Sequence, residues 1–154
     1  MTDTEELVRE RRGAILIVRL NRPDARNALT PGLMSGIGAA MVDAESDGAI
    51  RAVVLIGTGD RAFCAGMDLR AFAGGEKMGL ADDEGTRGFH RLSRGEVTVP
   101  VIGAANGSAI GGGFELLLGC DLIASSSGAQ FGFPQVKRGH LPARGGTFIG
   151  TRRP

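Results

Sequence analysis

Apolar and polar positions alternate in blocks along this chain, and the blocks differ in period. "LVRERRGAILIVRLNRP" reads as two strands around a turn at Arg12-Gly13, the second from Ala14 to Leu20. "DARNALTPGLMSGIGAAMVDAESDG" then switches to a helical period, with Leu33, Ile37, Ala40 and Met41 on one face. Thr30 suits the N-cap of that helix and Pro31 its first turn, and Asp47-Gly48 should close it. Ala52 to Gly57 ("AVVLIG") is a continuous apolar run, as expected of a strand buried on both faces. "TGDRAFCAGMDL" reads as a loop, and "RAFAGGEKMGLADDEGTRG" as an irregular segment before a helix at roughly Thr86 to Gly95. "VPVIGAAN" predicts another buried strand and "GGGFELLLGC" a short helix. Two short strands follow, Leu122 to Ala124 and Gln130 to Phe131, then a loop and the start of a helix near Gly146. Strand and helix alternate without an internal repeat or a dividing linker, so the chain reads as one α/β domain over residues 1–154.

Composition narrows the function more than the fold. The chain has 154 residues, 23% charged, with a formal net charge of +1, so no nucleic-acid surface is advertised. Tryptophan and tyrosine are absent, which argues against stacking platforms for single strands. The N-terminus "MTDTEELVRERRG" lacks the apolar core of a signal peptide. No apolar run nears the ~18 residues of a membrane span. The expectation is therefore a cytoplasmic protein with neither membrane nor nucleic acid as partner. Cys64 and Cys120 sit in apolar settings and read as buried thiols rather than a disulfide framework. His90 and His140 lack metal-ligand spacing, and no metal is expected.

The 26 glycines are the outlier. They match neither the phosphate loop G-x-x-x-x-G-K-[ST] nor the dinucleotide fingerprint in its required place after the first strand. No serine has glycine at both flanking positions of a nucleophile elbow. What remains is main-chain chemistry. A helix starting at Gly111-Gly112 presents N–H groups without helical partners, and glycine lets a ligand oxygen approach closely. Glu115 follows Gly112 by three residues and shares its face. That pattern suits an oxyanion site with an acid or base beside it. It equally suits an acid that merely complements the helix dipole, with glycines for close packing. In "FCAGMDL", Ala65 and Gly66 are small enough to bare their amides beyond the end of a strand, and Asp68 suits the cap of a following helix.

Taken together, "NRPDARNAL" (Asn21–Leu29), "FCAGMDL" (Phe63–Leu69), "PVIGAANGSAIGGGFELLLGCDLIAS" (Pro100–Ser125) and "AQFGFPQVKRGHLPARGGT" (Ala129–Thr147) resemble the enoyl-CoA hydratase/isomerase (crotonase) family. The motifs occur in the family's order and span nearly the whole chain. The resemblance implies a spiral of ββα turns that binds an acyl-CoA thioester, with coenzyme A as part of the substrate and no separate cofactor. It implies an oxyanion hole at the amides of Ala65 and Gly112. It also implies a coenzyme A surface at Ala25, Ala65, Gly66, Met67, Asp68, Gly111 and Gly112, a pocket wall from Ala71 to Gly88, and a homotrimer or hexamer. Of the two glutamates that handle water in family hydratases, the first falls on Glu115. The second position holds Gln135, which can hydrogen-bond a water but cannot exchange a proton at neutral pH.

Losing one acid/base group typically costs about 10²–10⁴-fold in rate, while a main-chain oxyanion site survives. Ala105 and Arg144 are smaller departures, standing where a larger aliphatic residue and a glycine are usual. Family domains are also longer, so this chain reads as an incomplete domain lacking the C-terminal part, with apolar surface left exposed. Three readings follow: a thioester enzyme, a non-catalytic acyl-CoA binder or assembly subunit, and an inactive remnant.

Overall fold

The computed structural model describes residues 5–73 and 83–134. Strands β1 (Leu7–Arg12) and β2 (Ile15–Leu20) form an antiparallel hairpin around Gly13, which takes a left-handed φ of 61°. Helix α1 (Pro31–Ser46) begins where the cap signal placed it, the Thr30 hydroxyl accepting from the Leu33 amide at 3.0 Å. Strand β3 (Ala52–Gly57) pairs parallel with β2, and β5 (Val101–Ala105) parallel with β3. Strand β7 (Leu122–Ser125) extends this sheet, whose order is β1-β2-β3-β5-β7.

A second, wholly parallel sheet of three strands lies after it in each turn: β4 (Ala62–Cys64), β6 (Ser108–Ile110) and β8 (Phe131–Gly132). The chain therefore repeats one step. A strand of the first sheet passes into a strand of the second, as β3 to β4, β5 to β6 and β7 to β8. Helices α2 (Leu69–Ala73) and α3 (Glu84–Ser93) follow β4, and α4 (Gly112–Leu118) follows β6.

The core lies between the first sheet and α1. Leu16, Val18 and Leu20 of β2 and Val53 and Leu55 of β3 are buried with Leu33, Ile37, Ala40 and Met41 of α1. Helices α1 and α3 touch backbone to backbone at Gly38, Gly85 and Gly88, where a Cβ would overlap the opposite main chain. Glu45 of α1 ties them further. Its carboxylate accepts from Arg91 at 2.7 and 2.8 Å and from the Thr98 amide and hydroxyl at 2.8 Å each. The Arg91 hydrogen bonds, reinforced by Thr98 and opposed by burial, bring the Glu45 pKa down to about 2.

Four expectations are corrected. "TGDRAFCAGMDL" is not all loop, because it contains β4. "NGSAI" contains β6, which no periodicity announced, since three residues are too few to show one. The run Ala52 to Gly57 is fully buried on alternate residues only, so β3 has one closed face and one half-covered face. The segment Leu69–Ala73 is helical rather than irregular. The helix expected near Gly146 lies outside the described residues, as do Gln135, His140 and Arg144. Apolar side chains do stand exposed: Leu69, Leu122, Ile123 and Phe131 all reach solvent.

Candidate active site

The triple glycine resolves into three different roles. Gly111 is the N-cap of α4, with φ 56° and ψ −123°, a conformation that side chains disfavour. Its N–H donates to the Gly132 carbonyl at 2.9 Å, fastening the helix start to β8. Gly112 opens the helix, and its N–H has no acceptor among the described residues. Gly113 packs against β4 so closely that a Cβ there would stand 2.7 Å from the Cys64 Cβ. Phe114, on the other side of α4, stacks on Phe131 with ring centroids 5.5 Å apart and leans on Phe133 at 4.8 Å. Glu115 is 2% exposed, one turn beyond Gly112 on the same face. An acceptor-seeking amide at the positive end of a short helix thus stands beside a buried carboxyl group.

The "FCAGMDL" segment meets this helix edge-on. Gly66, with φ 91°, comes so near that a Cβ on it would lie 2.7 Å from the Ile110 carbonyl oxygen and 3.3 Å from the Gly112 nitrogen. The segment is laid along residues 26–29 by main-chain bonds. The Ala65 N–H donates to the Arg26 carbonyl at 3.0 Å, the Leu29 N–H to the Gly66 carbonyl at 2.7 Å, and the Asp68 N–H to the Leu29 carbonyl at 2.9 Å. This overturns one expectation. Ala65 is not an available donor, because its amide is already held by Arg26. In a parallel bridge between Leu29 and Met67 the Met67 peptide groups point away from Leu29. Cys64 is buried, and burial pushes its thiol up to about 12, a rise that the Gly66 N–H only partly offsets. It is an inert packing group, and Cys120 is likewise buried and unbridged.

Asp68 caps α2, accepting from the Arg70 amide at 3.0 Å and the Ala71 amide at 3.3 Å. Its other oxygen receives the Arg22 guanidinium at 2.9 Å. Burial raises its pKa, but Arg22 and the two amides outweigh burial and hold the carboxyl below its usual range.

Two residues of "NRPDARNAL" escaped sequence reading. Asn27 is fully buried in a left-handed conformation, φ 55°. Its side chain accepts from the Arg22 amide at 3.0 Å and donates to the Thr58 and Ala62 carbonyls at 3.0 and 2.9 Å. Arg22 also donates to the Ala28 carbonyl at 2.6 Å and pairs with Glu6 at 2.9 Å. The available signal was an Asn beside a Pro-containing turn, which does not say whom it bonds. Ala25 ends a 3-10 turn, Pro23–Ala25, whose Pro23 and Asp24 line a cleft of about 160 Å³, while Ala25 itself does not. That cleft is lined by Asp24, Arg26, Asn27, Asp60, Arg61 and neighbouring main chain. Among the described residues no three metal-ligating side chains converge, and no helix is long and apolar enough to cross a membrane.

This two-sheet spiral, with its strand-to-strand steps, is the crotonase fold: it superposes on EchA1_1 of Mycobacterium paratuberculosis with a TM-score of 0.88 at 43% identity, over 97% of this chain and 57% of that one. A carnitinyl-CoA hydratase of Mycobacterium avium matches with a TM-score of 0.87 at 39% identity, over 96% and 56%. The sequence profile of the enoyl-CoA hydratase/isomerase family matches residues 10–153, and the chain belongs to that family. Among curated relatives, a short-chain-enoyl-CoA hydratase of Clostridium acetobutylicum is 36% identical over 150 residues, 94% of this chain and 56% of its own length. A carnitinyl-CoA dehydratase of Proteus mirabilis is 40% identical over 136 residues, 88% of this chain and 51% of its own. The chain spans about half the length of the curated relatives it matches.

Proposed function

We propose that the chain binds an acyl-CoA thioester with its carbonyl oxygen at the Gly112 N–H, and that Glu115 serves as acid/base for adding water to a 2-enoyl-CoA. The observation that carries this reading is the Gly112 amide, lacking an acceptor among the described residues, with the buried Glu115 one turn away. In this reading a second donor comes from the main chain at Gly66–Met67, which stands against the Gly112 nitrogen, in place of Ala65. Two such donors suit the negative charge that collects on a thioester oxygen when a nucleophile adds to the conjugated double bond. Coenzyme A then runs across Gly66, Met67, Asp68 and Gly111 toward Ala25, where Arg26 and Arg61 of the cleft can meet its phosphates. Coenzyme A belongs to the substrate; no separate cofactor or metal enters, and nucleic acid and membrane have no part. A homotrimer or hexamer is the assembly that the family suggests.

A second reading is a non-catalytic acyl-CoA binder or assembly subunit. Gln135 favours it, because the carbonyl site is main chain and stands without a second carboxylate. Titration with butyryl-CoA and hydration of crotonyl-CoA separate the two. Binding with weak hydration is expected, with Gln135→Glu raising the rate and Glu115→Gln abolishing it. Tight binding with no hydration in either wild type or Gln135→Glu would establish the binder instead.

A further inference from the structure

We infer that Arg22 is a positioning residue that sets where the Gly66–Met67 main chain stands relative to the Gly112 amide, and so how strongly a bound thioester carbonyl is polarised. The inference rests on the carbonyl site proposed above. Three main-chain bonds lay residues 65–68 along residues 26–29. Arg22 clamps both sides of that ladder with one nitrogen, Nη1, which donates to the Ala28 carbonyl at 2.6 Å and to Asp68 Oδ2 at 2.9 Å. Its Nε pairs with Glu6 at 2.9 Å, and Glu6 in turn accepts from the Thr30 hydroxyl at 2.6 Å. Asn27 holds the Arg22 amide and the Thr58 and Ala62 carbonyls, so the template is fixed to both ends of the β3–β4 connection. Gly66 then abuts Ile110 and Gly112 with no room for a Cβ. A shift of Asp68 therefore passes to Gly66 and Met67 with little slack. Arg22 is not among the residues lining the cleft, and its guanidinium bonds go to Ala28, Asp68 and Glu6. It acts through Asp68 and Ala28. A planar guanidinium suits this task, since one group serves three acceptors in fixed directions.

The test uses the full chain and butyryl-CoA labelled with ¹³C at the thioester carbonyl, read by isotope-edited infrared difference spectra, with free coenzyme A as a second ligand. Wild type is expected to lower the carbonyl frequency on binding. Arg22→Met is expected to return the band toward that of free butyryl-CoA. It should weaken butyryl-CoA by about tenfold or more, as expected for a misplaced carbonyl site, and weaken free coenzyme A, which has no carbonyl to place, by clearly less. Arg22→Lys, which keeps the charge but not the fork, should fall between. Asp68→Asn keeps an oxygen for the Arg70 and Ala71 amides and should move the band in the same direction, so the test survives if Arg22→Met does not fold. A wild-type band shift in all three variants overturns the inference. So does an equal loss of butyryl-CoA and coenzyme A, which marks a purely structural role. Absence of any shift in wild type overturns the carbonyl site itself and the inference with it.

Discussion

Replacing Gly66 by alanine should injure this protein by two separable routes. The first is conformational: φ is 91°, where an L side chain is strained, at a cost of about 1–2 kcal/mol. The second is steric. The new Cβ would stand 2.7 Å from the Ile110 carbonyl oxygen and 3.3 Å from the Gly112 nitrogen, both main-chain atoms that cannot swing aside. Overpacking of this kind costs about 1–3 kcal/mol. The sum, about 2–5 kcal/mol, corresponds to a fall in melting temperature of about 4–20 °C for a chain this size.

Two other glycines isolate the terms. Gly13 has φ 61° but nothing within 4 Å of a new Cβ, so Gly13→Ala should show strain alone, about 1 kcal/mol. Gly48 has open space and no positive φ, so Gly48→Ala should be neutral or stabilising by about 0.4–1 kcal/mol through the unfolded chain. Urea unfolding of the three variants, monitored by circular dichroism, gives the ranking. A Gly66→Ala chain no less stable than Gly13→Ala would refute the close approach of Gly66 to α4, and with it the geometry on which the carbonyl site depends.

Other outcomes follow from the same contacts. Glu45 titrates lower in the folded chain than in the unfolded one, so its stabilisation is complete above about pH 4.5 and is lost as pH falls toward about 2. Glu45→Gln should lower stability at pH 7 by about 1–2 kcal/mol and flatten the acid limb of a stability-against-pH curve; an unchanged limb would exclude the Arg91 pair as its source. Asn27→Ala strips the Arg22 amide and the Thr58 and Ala62 carbonyls of their partner and leaves alanine at φ 55°. It should cost about 3–5 kcal/mol in denaturant unfolding, and a loss below about 1 kcal/mol would contradict the buried network. Thr30→Ala removes the cap on Leu33 and a hydrogen bond to Glu6, and should cost about 1–2 kcal/mol, with Thr30→Ser restoring most of it.

The sequence by itself determined the elements whose signals are local. Thr30-Pro31 started α1, the apolar face Leu33, Ile37, Ala40 and Met41 was the face buried, and Ala52 to Gly57 was a strand to the residue. Order and spacing of motifs carried the family, and with it the spiral. These succeed because capping, helical period and strand length are properties of neighbours along the chain. Strands β4 and β6 were not legible, since three residues held by partners elsewhere have no period of their own.

The site divided in the same way. "GGGFE" announced an amide-bearing helix start with an acid one turn on, and the described structure has that arrangement. Which amide remains open was decided only by tertiary contacts. Ala65 and Gly112 both lie in small-residue motifs, yet Ala65 is satisfied by Arg26 across the ladder while Gly112 has no acceptor among the described residues. Arg22 and Asn27 were silent for the same reason. A hydrogen-bonding side chain states its capacity in the sequence, but its partners are chosen when distant segments pack.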